Sequence, residues 1–162
     1  MFRIDMRHIQ GVITGLGQFS VELSDLAEVV VCAAYELCWS ELQALHGEPL
    51  LENGKPCSLS VCALGKLGGR ELGFASDIEL LFVYAGNGQT SGSEAISTPE
   101  FYEHLVRSFV DTIHAKREGV FEVDLQLRPY GSAGSLAVML RAFETYFVPD
   151  GPAWDYERQA LL

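Results

Sequence analysis

The chain has 162 residues, 48% hydrophobic and 20% charged, with 9 Phe, 6 Tyr and 2 Trp; such a composition folds around a core and excludes a long solvating tail. Its 22 acidic against 11 basic side chains leave a formal charge of −11, a field that repels a phosphate backbone and excludes non-specific nucleic-acid binding. A bound Mg²⁺ ion reverses the local sign, so this acidity suits a metal–nucleotide site better than a DNA site.

The N-terminus, Met1 to His8, lacks the apolar stretch of a signal peptide. The most apolar later stretch, Leu26 to Trp39, carries Glu28 and Glu36 and is too short to cross a bilayer. The reading is a cytoplasmic protein with no membrane partner. Cys32, Cys38, Cys57 and Cys62 form no C-x-x-C pair and read as reduced thiols. Gly11, Gly15 and Gly17 interrupt the first segment and leave a short helix around 6–20. Ser24 to His46 holds no Gly or Pro and places Leu26, Val29, Val30, Ala33, Leu37 and Leu42 near a helical repeat, with Ser24 as N-cap and Gly47 as stop. Glu48 to Pro56 is turn-rich. Ser58 to Leu64 predicts a strand that runs into the glycines of 65–69, and Asp77 to Tyr84 predicts a second. Ala85 to Thr98 reads as a surface loop, and Pro99 opens a helix over 100–116 with Phe101, Tyr102 and Phe109 as core aromatics. Val120 to Leu127 predicts a strand with Glu122, Asp124 and Gln126 on one face. A Gly-rich turn over 131–135 precedes helical patterns near 141–147 and 153–162; Glu157 and Arg158 are expected to pair locally. This predicts a helical lead-in over 1–47, a linker over 48–57, an α/β core over 58–150 and the start of a following helical region over 151–162, in a chain that reads as a fragment. His8, His46, His104 and His114 lack the spacing of a metal pair, and the two on the 100–116 helix read as surface residues.

The chemistry concentrates in the acids. Asp77 and Glu79 stand at i and i+2 on an apolar strand, so both point to one face, about 6.5–7 Å apart along it. Asp124 is a third acid on another strand. If the two strands are neighbours, three carboxylates converge into the oxygen set that hard Mg²⁺ ions prefer. The same spacing is also that of an ordinary solvated strand face. Gly68 and Gly69 lie between a strand and the acidic strand, where adjacent glycines let main-chain N–H groups approach an anion. Neither the P-loop pattern nor G-x-G-x-x-G is present, which argues against those two nucleotide folds.

The stretch Ala63 to Leu80, reading ALGKLGGRELGFASDIEL, resembles the signature block of the glutamine synthetase adenylyltransferase family, GKLGGRELxxSSDxDLxF. Glu122 to Gly134, EVDLQLRPYGSAG, resembles its VDLRLRPxGxxG, and Trp154 to Leu161, WDYERQAL, resembles its WExQAL. The three blocks are ordered and span residues 61–162. The resemblance implies the polymerase-β-like nucleotidyltransferase fold, a mixed sheet with flanking helices and a metal–ATP site at its edge. It implies Asp77 and Glu79 as ligands shared by two Mg²⁺ ions, Asp124 as the third acid facing the nucleophile, and Gly68, Gly69, Ser76 and Arg128 near the nucleotide. The implied reaction moves AMP from ATP to a tyrosine of glutamine synthetase, or removes it by phosphorolysis, under control of a PII-type signal protein. Two departures stand out: Glu79 replaces the usual Asp, and Gln126 the common Arg. They leave room for a non-catalytic regulatory half that binds nucleotide or a partner. A PII-type uridylyltransferase is a further alternative, which the GKLGGRELG block disfavours.

Overall fold

The computed structural model describes residues 2–114 and 121–161. Lys116 and Val120, where the sequence places a helix end and a strand start, lie outside the described residues.

The lead-in is two helices. α1 (Phe2–Ile9) ends before Gly11, whose φ of +70° is the left-handed conformation that glycine adopts without penalty. α2 (Leu16–His46) then runs for 31 residues and begins well before the expected cap. Ser24 is not an N-cap: it is buried mid-helix, and its hydroxyl donates to the Ser20 carbonyl at 2.8 Å, so a local acceptor satisfies it inside the helix. Gly47 stops α2 as expected, with φ +80° and its N–H on the Gln43 carbonyl.

The turn-rich segment after Gly47 carries a strand. β1 (Pro49–Leu51) pairs antiparallel with β4 (Gly88–Thr90), which lies in the stretch expected to be loop. The main sheet is mixed. β2 (Leu59–Ala63) pairs antiparallel with β3 (Ile78–Tyr84), while β5 (Val123–Asp124) and β6 (Ala137–Met139) both run parallel to β3, at its start and its end. The short α3 (Gly65–Gly68) links β2 to the approach to β3. α4 (Thr98–His114) follows the loop, and α5 (Leu140–Phe147) and α6 (Asp155–Gln159) close the chain. The fold class is α/β.

The strand expected over 120–127 is cut to two residues. The Asp124 carboxylate accepts the N–H of Gln126 at 2.8 Å, and this side-chain turn competes with ladder pairing just where β5 stops. The Gly-rich turn expected over 131–135 is a 3-10 turn at Gly131–Ala133, and β6, which the sequence did not predict, follows it.

One core joins lead-in and sheet. Ile78, Leu80, Phe82 and Tyr84, alternate residues of β3, are buried with Phe101, Tyr102, Leu105, Val106 and Phe109 of α4 and with Phe19, Leu23, Ala27, Val31, Ala34 and Cys38 of α2. Phe82 meets Phe109 edge to face at 5.3 Å, Tyr84 stacks on Tyr102 at 5.0 Å, and Trp39 of α2 meets Phe101 edge to face at 5.5 Å. The four cysteines are free, and His104 and His114 are exposed, as expected. Among the described residues no helix is long and apolar enough to cross a membrane.

Candidate nucleotide and metal site

Burying alternate residues of β3 against the helices turns Glu79, and Asp77 just ahead of the strand, to the opposite face of the sheet. The parallel register sets Ile78 beside Val123 and Glu79 beside Asp124, so two of the three predicted acids are direct cross-strand neighbours. Ile78 donates its N–H to the Glu122 carbonyl at 2.8 Å, which extends the same register back toward Asp77. Two strands therefore carry their acids side by side at one end of the sheet.

Asp77 is presented by a tight turn. Ser76 donates its N–H to the Gly73 carbonyl at 3.3 Å and accepts the Gly73 N–H on Oγ at 3.1 Å; Ala75 between them takes φ +52°. Ser76 thus fixes the turn from which Asp77 emerges. Leu72, fully buried, anchors the turn below, and Phe74 stacks on Phe19 at 4.7 Å above. Asp77 is exposed and Glu79 half-buried, and among the described residues neither carboxylate has a hydrogen bond or ion pair. Oxygen donors without a cation partner are the chemistry a hard divalent ion takes up. The side chains are not gathered in advance: among the described residues no group of three His, Cys, Asp or Glu is close enough together to hold a metal.

The glycines act differently from the sequence expectation. The N–H groups of Gly68 and Gly69 are both spent on α3, bonding the carbonyls of Leu64 and Gly65 at 3.0 Å each. Gly68 is instead a packing glycine, since a Cβ there would stand 2.6 Å from the Ala63 carbonyl oxygen. The glycine that touches the acids is Gly65. It has φ +52°, and a Cβ on it would lie 1.7 Å from Glu79 Oε2, so only a bare Cα leaves room for that carboxylate. Periodicity carries no signal for this; it follows from the antiparallel return of β3 along β2, which sets Glu79 opposite Leu64, whose N–H donates to the Glu79 carbonyl at 2.9 Å, and so beside Gly65.

Arg128 is buried. It donates through Nη1 to the Leu125 carbonyl at 2.7 Å and through Nε to the Gly134 carbonyl at 3.2 Å, clamping both ends of the loop after β5. Burial lowers its pKa from the ordinary arginine range, while the nearby negative charges of Glu103 and Asp124 oppose that shift. Glu157 and Arg158 do not pair with each other. Glu157, buried, accepts from Tyr146 Oη at 3.2 Å and from the Trp154 N–H at 2.7 Å; Arg158 pairs with Asp155 at 3.1 Å and donates to the carbonyls of Val148 and Gly151. Lys66 is exposed at the start of α3.

A family model described as glutamate-ammonia ligase adenylyltransferase matches residues 1–162. Curated relatives of the same kind, each named bifunctional glutamine synthetase adenylyltransferase/adenylyl-removing enzyme, include one from Thioalkalivibrio sulfidiphilus, 38% identical over 100% of this chain and 17% of its own length. Others come from Aromatoleum aromaticum, 40% identical over 86% of the chain, and Burkholderia mallei, 42% identical over 82%, each match covering 15% of the relative. The chain therefore spans 15–17% of the length of these relatives.

Proposed function

Because the chain belongs to the glutamate-ammonia ligase adenylyltransferase family, we propose that it is a nucleotidyltransferase domain of polymerase-β-like type acting on glutamine synthetase. In the forward direction a tyrosine oxygen attacks the α-phosphorus of ATP, its proton passes to a base, and the bond to the departing pyrophosphate breaks. In the removing direction inorganic phosphate attacks the AMP–tyrosine phosphorus, the bond from that phosphorus to the tyrosine oxygen breaks, the oxygen takes a proton, and the AMP is carried off as ADP. The observation that carries this reading is the register of Glu79 beside Asp124, with Asp77 on the same face and with Asp77 and Glu79 lacking a cation partner among the described residues.

Asp77 and Glu79 would hold the metal, with Asp124 turned toward the attacking hydroxyl. Mg²⁺ ions, two in this reading, supply charge neutralisation at the phosphates and activation of the attacking oxygen when bound. Gly65 leaves the Glu79 carboxylate its space. Gly68, Gly69, Ser76 and Arg128 serve the nucleotide by shaping the main chain around it: the glycines set α3 on β2, Ser76 closes the turn before Asp77, and Arg128 holds the loop after Asp124. Most of the rate would then come from positioning and charge neutralisation, as in phosphoryl transfer generally. In a longer protein, a PII-type signal protein and a cytoplasmic setting complete the proposal.

A second reading, a regulatory half that binds nucleotide without catalysis, draws on the absence of a gathered three-ligand cluster among the described residues. Calorimetric titration of the chain with ATP, with and without Mg²⁺, separates the two. Binding that requires Mg²⁺ and falls at least about tenfold in Asp77→Asn, with an unchanged circular-dichroism spectrum, supports the enzyme; binding indifferent to both supports the regulatory half.

A further inference from the structure

Tyr130 stands in the loop after β5 with φ +64° and ψ +15°, a left-handed conformation that is uncommon for any residue with a Cβ and an outlier for a bulky one. The next residue, Gly131, is also left-handed at φ +53°. Strain of this kind persists where the surroundings enforce it, and it concentrates at ligand sites. The enforcement is visible. Arg128 clamps the loop at the Leu125 and Gly134 carbonyls, the Gly131 N–H donates to the Arg128 carbonyl at 2.8 Å, and a Cβ on Gly131 would lie 3.7 Å from the Gln126 carbonyl oxygen. The turn is thereby folded back onto the residue two positions beyond Asp124.

What this strain presents is an aromatic ring in water. Tyr130 is 64% exposed, yet it does not swing freely: its ring meets Tyr146 edge to face at 4.8 Å. Tyr146 is itself buried and donates its hydroxyl to the buried carboxylate of Glu157, which also accepts the Trp154 N–H. Two of the three sequence blocks are thus tied together through Tyr146, the last bracing an exposed ring in the second. A braced ring with an open face is a surface on which a planar heterocycle stacks.

We infer that Tyr130 is the stacking surface for the base of the bound nucleoside triphosphate, a specificity-determining residue that rests on the nucleotide site proposed above. The test is calorimetric titration of the chain, in Mg²⁺, with ATP and separately with inorganic tripolyphosphate, which has the phosphates and no base. Tyr130→Asn keeps a residue that tolerates the left-handed backbone and removes the ring; Tyr130→Phe keeps the ring. The expected result is a loss of ATP affinity of about fivefold to a hundredfold in Tyr130→Asn, the range of one base–aromatic stack. Tripolyphosphate affinity is expected to stay unchanged, Tyr130→Phe to match the parent, and the melting temperature of Tyr130→Asn not to fall. Unchanged ATP affinity in Tyr130→Asn overturns the inference and leaves the nucleotide site standing. Equal loss of ATP and tripolyphosphate overturns it too, because Tyr130 would then hold the turn and not read the base. A parent chain that binds neither compound overturns both the site and the stacking.

Discussion

Three glycines in one short segment differ in what a side chain on each would meet, and their substitutions separate cleanly. Gly65→Ala meets a left-handed φ, costing about 1–2 kcal/mol, and drives a Cβ into Glu79 Oε2. Since that oxygen ends a flexible side chain, the fold absorbs the clash by moving the carboxylate, so Mg²⁺-dependent ATP binding is expected to fall far more than stability does. Gly68→Ala strikes the fixed Ala63 carbonyl and is expected to lower the melting temperature. Gly69→Ala meets nothing closer than 3.5 Å and is expected to stay within about 0.5 kcal/mol of the parent. Thermal melts alongside ATP titration check all three; a Gly65→Ala chain that melts lower and binds ATP normally would contradict the placement of Glu79. Composition and spacing pointed to the Gly68-Gly69 pair because it is conspicuous in one dimension, whereas the consequential glycine is fixed by which strand returns beside it. Tyr102 supplies a second residue-scale test. Burial above all, helped by the Cys57 thiol, pushes its phenol well above the ordinary value of 10.0, and its hydroxyl donates to the Cys57 carbonyl. The folded state therefore holds the proton more tightly than the unfolded one. This stability is fully present below about pH 10 and is lost as pH rises through that value toward the folded pKa. Denaturant titrations between about pH 9 and 11 are expected to show stability falling, with a shallower fall in Tyr102→Phe at the cost of an unpaired Cys57 carbonyl of about 1–3 kcal/mol.

At the scale of elements, the site depends on a contact that joins the lead-in helices to the turn before β3. Phe19 of α2 is 2% exposed and lies between His8 of α1, at 4.7 Å, and Phe74 of the Asp77 turn, also at 4.7 Å. Arg70, on the same approach to β3, pairs with Asp25 and Glu28 of α2, but these partners are about half exposed or more and such pairs add little. Phe19→Ala is therefore expected to cost about 3–5 kcal/mol and to loosen the Asp77 turn, while Arg70→Ala stays within about 1 kcal/mol. Urea titration of both variants measures the contrast, and equal effects would mean that the ion pairs and not the aromatic stack hold the turn. This sharing of one core is also why the described lead-in, α1 and α2, packs as part of the α/β body. The long elements were legible in the sequence because they carry many repeats of their period: α2 and α4 their apolar stripes, β3 its buried alternation. The three-residue strands β1, β4 and β6 were not, since a tripeptide holds no period and is a strand only through its partner. The acids of β3 and β5 were legible by type, and their adjacency only through the motif resemblance. The braced Tyr130 was not, because left-handed backbone at a tyrosine opposes every propensity.

For the whole molecule the governing quantity is the charge of −11. A chain of this length has a radius of gyration of about 15 Å, shorter than the Debye length of about 30 Å at 0.01 M salt and longer than the roughly 3 Å at 1 M. Across that range the acids change from repelling one another through the whole body to being screened from all but their neighbours. The melting temperature is therefore expected to rise with NaCl alone. A divalent ion held, as proposed, at Asp77 and Glu79 would add a separate contribution, because it would bind the folded arrangement and not the unfolded chain. In about 0.15 M NaCl with ATP present, a complex formed at 100 times its dissociation constant adds about 2.7 kcal/mol, which for a chain of this size is a rise of about 5–10 °C. Chelation is expected to reverse it, and Asp77→Asn to abolish it while keeping the response to NaCl. The sign of the distinction follows from where the charge sits: general screening acts on all 22 acids and loses little when one is neutralised, whereas coordination depends on the particular pair that the β3 pleat sets on one face. A Mg²⁺ response that survives in Asp77→Asn at full size would place the ion's effect in the diffuse field of the molecule and remove the metal from the acids of β3.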